Sequence, residues 1–340
     1  MGVKESLERM RVLFEGTSLD TRLAPRYPAA AVEIAPDMVT GIRVERDRRK
    51  GRPVVRAAAW SDLPPGAIDA SLHRPNVVDA GVVGKALDEV LNAVAPGEHR
   101  VSLLLPDHAA RVSLINFTAL PTTRRELIEM VRFRMAKGLP FKTEEAALDL
   151  MPLSATEAGS AGAVLAVFMH RPILEQYEAL LTARGYWPGL VGLSSLELFN
   201  LFRGRLIAGA QERDLLVLNL TRFSLSLLIL SAGRIVFYRC KPHAGGKPVD
   251  DDLAGVRREI YTSLAFYQEK LLGRGLGHAW LRVAGVPVDA AVETIAKEAG
   301  CPVEVLRLSE AVEVPAGTPL DEQAMARVAP VAGAVIGRRA

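Results

Sequence analysis

Cysteine is scarce in this chain. Only Cys240 and Cys301 occur in 340 residues, and they share no short spacing with each other or with any of the six histidines. That argues against a disulfide framework and against a cysteine-ligated zinc, and it fits a reducing compartment. The histidines form neither HxxxH nor HExxH, so the helical zinc-hydrolase motif is absent too. An excess of one charge is also lacking. Lys plus Arg number 42 and Asp plus Glu 39, a net charge of +3, which is too small to argue for nucleic acid by bulk electrostatics. The run Arg43, Arg46, Arg48, Arg49, Lys50, Arg52 reads as a solvated turn.

Long hydrophobic runs are missing as well. The best candidate, Leu215 to Leu230, is interrupted by Asn219 and Arg222 and alternates like a pair of strands. It falls short of the ~18 apolar residues that a bilayer span needs. The N-terminus shows no basic segment followed by an apolar one, which predicts a cytoplasmic protein. Met1-Gly2-Val3-Lys4-Glu5-Ser6 matches a myristoylation pattern, but no second membrane signal accompanies it, and it reads as a chance match.

What remains is a globular composition, 49% hydrophobic and 24% charged, in a chain long enough for one large or two ordinary domains. Val3, Leu7, Met10 and Phe14 share one face of an expected helix over 3–14, and Gly16 stops it. A polar linker follows to Pro28. Strands are expected at 30–35, 39–46, 53–59, 100–105 and 110–118, with an amphipathic helix at 79–95. Helix 122–137 opens on Thr123-Arg-Arg-Glu126, a capping box, and Gly138 is expected as its left-handed stop. Strand 162–169 leads to helix 171–184, with Pro172 in its first turn and Gly185 beyond its end. Strand 188–193 leads to helix 194–205, where Ser194-Ser-Leu-Glu197 reads as a second capping box.

The second half repeats this plan. Strands are expected at 215–220, 223–230 and 234–240, then helix 250–272, strand 279–284, helix 287–299, strand 302–307 and a last helix near 321–337. Segment 31–46 parallels 216–230, and 162–205 parallels 279–337. The domain assignment is an N-terminal helix and linker (1–28), a first domain (29–205) with an insertion at about 100–160, and a second domain (206–340). Two related α/β domains would then face one another across a cleft.

Four segments resemble one family. Leu120-Pro121, Glu126-Leu127 and Gly138-Leu139-Pro140-Phe141 are similar to an "LP…EL…LPF" inserted subdomain. LLTARGYWPGLVGLSSLELFNLF, SAGRIVFYR and VRREIYTSLAFY are similar to its later motifs. The chain thus resembles the PilM family of type IV pilus assembly, within the actin-like ATPase superfamily, and also the related cytoplasmic domain of GspL from type II secretion. The likeness covers roughly residues 30–338. It implies duplicated actin-like (RNase H-like) domains, with the first half's insertion intact and the second half's reduced.

In that family two glycine-bearing hairpins hold nucleotide phosphates, because a close backbone N–H approach favours glycine. The resemblance places Glu33, Ala35, Pro36 and Asp37 on the first hairpin, Asn219 and Thr221 on the second, and Gly285 in the adenosine loop. Pro36 has no N–H and a fixed φ. Asn219 is no carboxylate, and no glycine follows it. Only CKPHAGGKPVDDDLAG stands where the family has an adenine-gripping subdomain. HAGGKP is not a P-loop, since Lys241 replaces the first glycine and Pro248 the Ser/Thr.

The expectation is therefore a non-catalytic scaffold with a degenerate nucleotide site and no resident cofactor. It would be cytoplasmic, peripheral to the inner membrane, and assembled as a homo-oligomer or ring. Its partner would be the tail of a PilN-like bitopic inner-membrane protein, gripped between the first domain and its insertion. Met130, Phe133, Leu139 and Phe141 are the candidate groove residues. The alternatives are an active ATPase or small-molecule kinase, holding ATP and Mg²⁺ with Glu33, Asp37 or Asp214 as the carboxylate, and a GspL-like secretion component.

Overall fold

The structure, a computed structural model, describes residues 27–47, 51–121, 123–153, 162–249 and 252–336. The expected helix at 3–14, the Met1–Ser6 pattern, and Arg48, Arg49 and Lys50 lie outside them. In the first half the order is β1 (Ala30–Ile34), β2 (Met38–Arg46), β3 (Pro53–Asp62), α1 (Ala80–Val94), β4 (Arg100–Leu105), β5 (Arg111–Phe117), α2 (Arg124–Met135), β6 (Ala146–Leu153), β7 (Gly162–His170), α3 (Arg171–Thr182), β8 (Trp187–Leu193) and α4 (Ser194–Gly209). The second half continues with β9 (Asp214–Thr221), β10 (Ser224–Ser231), β11 (Arg234–Pro242), α5 (Ala254–Lys270), β12 (Leu276–Ala284), α6 (Val288–Ala299), β13 (Val303–Val305) and α7 (Glu322–Ile336).

These strands form two five-stranded sheets of the same order, β3-β2-β1-β4-β8 and β11-β10-β9-β12-β13, and a three-stranded sheet, β5-β7-β6. In each large sheet the first three strands are antiparallel and the last two join in parallel. That is the duplicated actin-like plan. The central strands are covered on both faces, so β9 and β10 are buried along nearly their whole length and read as continuous apolar runs.

The pairing corrects the expected internal repeat. β4 occupies the same place beside β1 that β12 occupies beside β9. Residues 100–105 therefore belong to the first sheet and not to the insertion, which runs from the end of β4 to the end of β7. Strand 162–170 is the middle strand of the inserted sheet, and the counterpart of β12 is β4. β6 was not anticipated. Its sequence, AALDLMPL, is rich in helix formers and carries Pro152, which a strand tolerates at a sheet edge.

Local signals explain most helix ends. The Asp79 side chain accepts from the N–H groups of Gly81 and Val82, and Thr123 accepts from Glu126 N–H. Gly185 takes the left-handed conformation beyond α3. Gly138 does not, because α2 has already ended at Met135. The second expected capping box is absent. Leu193 is the cap of α4, and the Ser194 hydroxyl turns instead to the Glu33 carboxylate. Helix α5 starts at Ala254, four residues later than expected, after Leu253 in a left-handed conformation.

The two halves exchange helices. α7, from the second half, lays Val328, Val331 and Val335 on Ala31, Ile42 and Leu104 of the first sheet. α4, from the first half, puts Leu198, Phe202 and Leu206 into the cluster that contains Leu215, Val217 and Leu228 of the second. Each such side chain contributes on the order of 1.5–3 kcal/mol by burial. The helices cross at Gly333, where a Cβ would lie 1.9 Å from the Glu197 carbonyl oxygen. A side chain there would prise the exchange apart.

Candidate functional site

The turns of the β1–β2 and β9–β10 hairpins meet across the cleft. A cavity of about 40 Å³ between them is lined by Glu33, Ala35, Pro36, Asp37, Asn219 and Thr221, six of the seven positions expected from sequence. Gly285 is not in the lining. It sits beyond β12 with φ +72°, packed so that a Cβ would meet Arg222 Cγ at 2.6 Å. Asp214 is at the far end of β9. Burial works to raise its pKa, but hydrogen bonds from Tyr267 and Arg274 prevail and hold it below the ordinary carboxylate value.

Several of the turns' N–H groups are already taken or missing. Ala35 N–H donates to the Met38 carbonyl at 2.9 Å, and Pro36 has no N–H. In the second turn the Thr221 hydroxyl accepts from Phe223 N–H at 3.3 Å and from Ser224 N–H at 3.0 Å. Thr221 thereby closes the turn on itself, as a short hydroxyl side chain readily does.

A guanidinium fills the position between the hairpins. Arg282 of β12 is 3% exposed. Its Nη1 donates to Asn219 Oδ1 at 2.9 Å, its Nε to the Ala326 carbonyl at 2.8 Å and its Nη2 to the Arg327 carbonyl at 3.2 Å. The Ala326 bond has a covalent cause. Pro330 lies inside α7 and cannot donate to the carbonyl four residues back, which is that of Ala326. Arg282 satisfies the acceptor that Pro330 orphans.

Carboxylates surround this cation. Glu33, 6% exposed, accepts from the Ser194 hydroxyl. Burial raises its pKa, and the field of Arg282 opposes the rise. Asp107, just past β4, accepts from Ser195 N–H at 2.9 Å, the Ser226 hydroxyl at 2.7 Å and Asn219 Nδ2 at 3.4 Å. Its pKa is raised by burial against these bonds. Asp37 is raised by burial too, and its own backbone and Arg222, Arg282 and Arg327 pull it back. The Arg282 pKa is lowered by burial, with Glu33, Asp107 and Asp37 opposing.

A nucleotide with Mg²⁺ needs free backbone donors for phosphate and free carboxylate oxygens for the metal. Here the Ala35, Phe223 and Ser224 donors are taken and Pro36 has none, the field of Arg282 is set against the carboxylates, and about 40 Å³ holds a few waters. Among the described residues, no three His, Cys, Asp or Glu side chains are grouped to hold a metal. The residues present do not fit the group in this arrangement.

Sequence reasoning missed Asp107, Ser194 and Arg282. Two signals pointed to them. Arg282 is a lone charge inside the apolar strand AWLRVAG, and Asp107 follows a parallel strand at its C-terminal end, where open α/β sheets bring ligand groups together.

A second cavity, of about 180 Å³, lies between the first sheet and the inserted one. The strand period of two builds its wall. On β7, Val164, Ala166 and Phe168 face α2, while Leu165, Val167 and Met169 face the groove. Ala147 and Met151 of β6, Leu174 of α3, Val191 of β8 and Leu196 of α4 complete an apolar surface. Its titratable lining is acidic throughout: Asp149, Glu178 and Glu197. Both β6 and β8 are edge strands of their sheets.

The four residues expected to line this groove do not. Met130 and Phe133 project from α2 on the opposite side of the inserted sheet, Phe133 being 87% exposed. Leu139 and Phe141 pack onto the α2 cluster, where Phe141 stacks on His170 at 4.7 Å. The helical stripe of α2 is satisfied by Leu127, Val131 and Met135 facing its own sheet.

Neither a protein-family model nor a curated protein matches the chain. Solved structures do. A chain of a PilM–PilN type IV pilus biogenesis complex superposes with a TM-score of 0.74 at 19% identity, covering 92% of this chain and 98% of that one. The cytoplasmic domain of EpsL, an inner membrane component of the type II secretion system of Vibrio cholerae, has a TM-score of 0.48 at 10% identity, over 89% of this chain and 94% of that one. A Bacteroides thetaiotaomicron protein described as having an actin-like ATPase fold has a TM-score of 0.46 at 10% identity, over 87% and 96%. The fold shared with the pilus complex extends over almost the whole of both chains.

Proposed function

We propose that this chain is a PilM-like cytoplasmic scaffold. It grips the short cytoplasmic tail of a PilN-like bitopic inner-membrane protein in the groove between its first sheet and the inserted sheet. The observation that carries this reading is the groove itself. It is apolar, bounded by two sheet edges and large enough for the side chains of one extended or helical segment. The fold shared with a PilM–PilN complex supports the choice of partner. Among the described residues no helix is long and apolar enough to cross a membrane, so in this reading membrane attachment comes through the partner.

The cleft between the hairpins is then a joint and not a nucleotide site. Arg282 ties β12, Asn219 and the Ala326 carbonyl of α7 together where a phosphate would need open donors. Isothermal titration with Mg-ATP tests this half of the reading. The expected result is no binding at micromolar nucleotide. Micromolar affinity would overturn it and return the ATPase or kinase alternative.

The other half is tested by co-expressing the chain with its neighbouring genes and purifying it from solubilised membranes. A bitopic protein should co-purify, be released by a synthetic peptide of its own tail, and be lost with Leu196→Asp. Its retention in Leu196→Asp, in a chain that melts like the wild type, would refute the groove.

A further inference from the structure

The sequence holds an apolar segment that the cleft and the groove walls do not account for. Val3, Leu7, Met10 and Phe14 recur at helical spacing, and residues 3–14 carry Lys4, Arg9 and Arg11 against Glu5 and Glu8, a net charge of +1. The groove has the complementary character, apolar walls with only Asp149, Glu178 and Glu197 as titratable groups. The described chain begins beside it. A side chain built on Gly189, a groove residue of β8, would meet Pro28 Cγ at 2.6 Å. The described chain thus starts against Gly189 of the groove wall. Residues 15–26 can extend to roughly 40 Å at about 3.3–3.6 Å per residue, enough to let residues 3–14 fold back over the cavity.

We propose that residues 3–14 of this chain occupy its own groove in cis, as an internal competitor of the partner tail. The inference rests on the groove reading above. A tether of that length gives an effective concentration on the order of 1 mM. A segment that binds in trans at about 10 μM would then be seated in most molecules. An incoming tail would have to displace it, with apparent affinity reduced about a hundredfold. Such an arm would keep the apolar groove covered until a partner with a better match arrives.

The test uses the full chain, its variant Leu7→Asp/Phe14→Asp, and a fluorescent synthetic peptide of residues 1–26. Fluorescence anisotropy should show the peptide binding the variant at least tenfold tighter than the wild type. Adding Leu196→Asp, or Leu174→Asp in a second chain, should abolish binding. Circular dichroism melts identify whichever groove variant is folded. No peptide binding to the Leu7→Asp/Phe14→Asp chain, or equal affinity for it and the wild type, would overturn the proposal. Co-purification of the membrane partner separates the two readings. If Leu196→Asp loses the partner while the peptide binds neither chain, the groove stands and the arm falls. If a folded Leu196→Asp chain keeps the partner, both fall.

Discussion

Replacing Arg282 by Met is the most direct perturbation of the joint. The change keeps much of the stem's volume and removes the cation. Three acceptors lose their donor, Asn219 Oδ1 and the carbonyls of Ala326 and Arg327. Ala326 is the severe case, because Pro330 offers it nothing in return. A buried acceptor left unpaired costs about 1–3 kcal/mol. Glu33 and Asp107 also lose the positive field that opposes their burial, which adds to that cost. The two effects overlap, so the expected total is about 3–5 kcal/mol, or roughly 6–10 °C in melting temperature at about 2 °C per kcal/mol.

The pH dependence gives a sharper signature. Glu33, Asp107 and Asp37 have raised pKa values in the folded chain. Above the ordinary values, 4.5 for Glu and 3.8 for Asp, the folded state holds more protons than the unfolded state. Stability therefore falls as pH rises from there through the raised values. Without Arg282 those values rise further and the fall continues to higher pH. The variant should thus lie closer to the wild type at pH 4.5 than at pH 7.5, and Glu33→Gln in the Arg282→Met chain should recover part of the loss at pH 7.5 only. Urea unfolding across that range is the assay. An unchanged melting temperature, or a deficit independent of pH, would refute the reasoning.

Gly333→Ala should cost about 1–3 kcal/mol or more by overpacking, because its Cβ would meet backbone and not a yielding side chain; a melt reads it, and a neutral result would place the α4–α7 crossing elsewhere. Phe133→Ser should leave co-purification of the membrane partner unchanged, since Phe133 lies across the inserted sheet from the groove; loss of the partner would move the interface to α2.

The legible part of the fold was the part written in short range. The apolar runs of β9 and β10, the Thr123 cap and the glycine beyond α3 are local signals, and each falls where local chemistry puts it. The strand pairing was less legible. Residues 100–105 and 162–170 are both apolar strands of similar length, and nothing within either says which one lies beside β1. That choice is made by β1 pairing with β4 in parallel, a non-local fact. Ser194 misled for the same reason. A serine three residues before a glutamate reads as a cap, yet a buried carboxylate from Glu33, 161 residues away, took the hydroxyl. Met130 and Phe133 fall outside the lining of the groove because the period of α2 puts Leu127, Val131 and Met135 inward, and the exposure of Phe133 cannot be told from its hydrophobicity.

The site positions were better located than explained. Six of the seven expected cleft residues do line one cavity, because β1 and β9 hold the same place in equivalent sheets. What the turns lack, a free N–H at Ala35 and any at Pro36, was visible as residue type. What replaced it was not. Arg282 becomes intelligible only when Pro330 is set beside it, since one residue opens an acceptor in α7 and the other closes it across the cleft. That link bears on motion as well as on binding. α7 belongs to the second half and lies on the first sheet, and Arg282 of β12 bonds its Ala326 and Arg327 carbonyls and Asn219 of β9. Opening the cleft around a nucleotide by moving α7 away from β12 would break those bonds. The groove on the other flank of the first sheet is walled by β6 and β8, neither of which takes part in that joint, and so a segment could enter or leave it with the two halves held fixed.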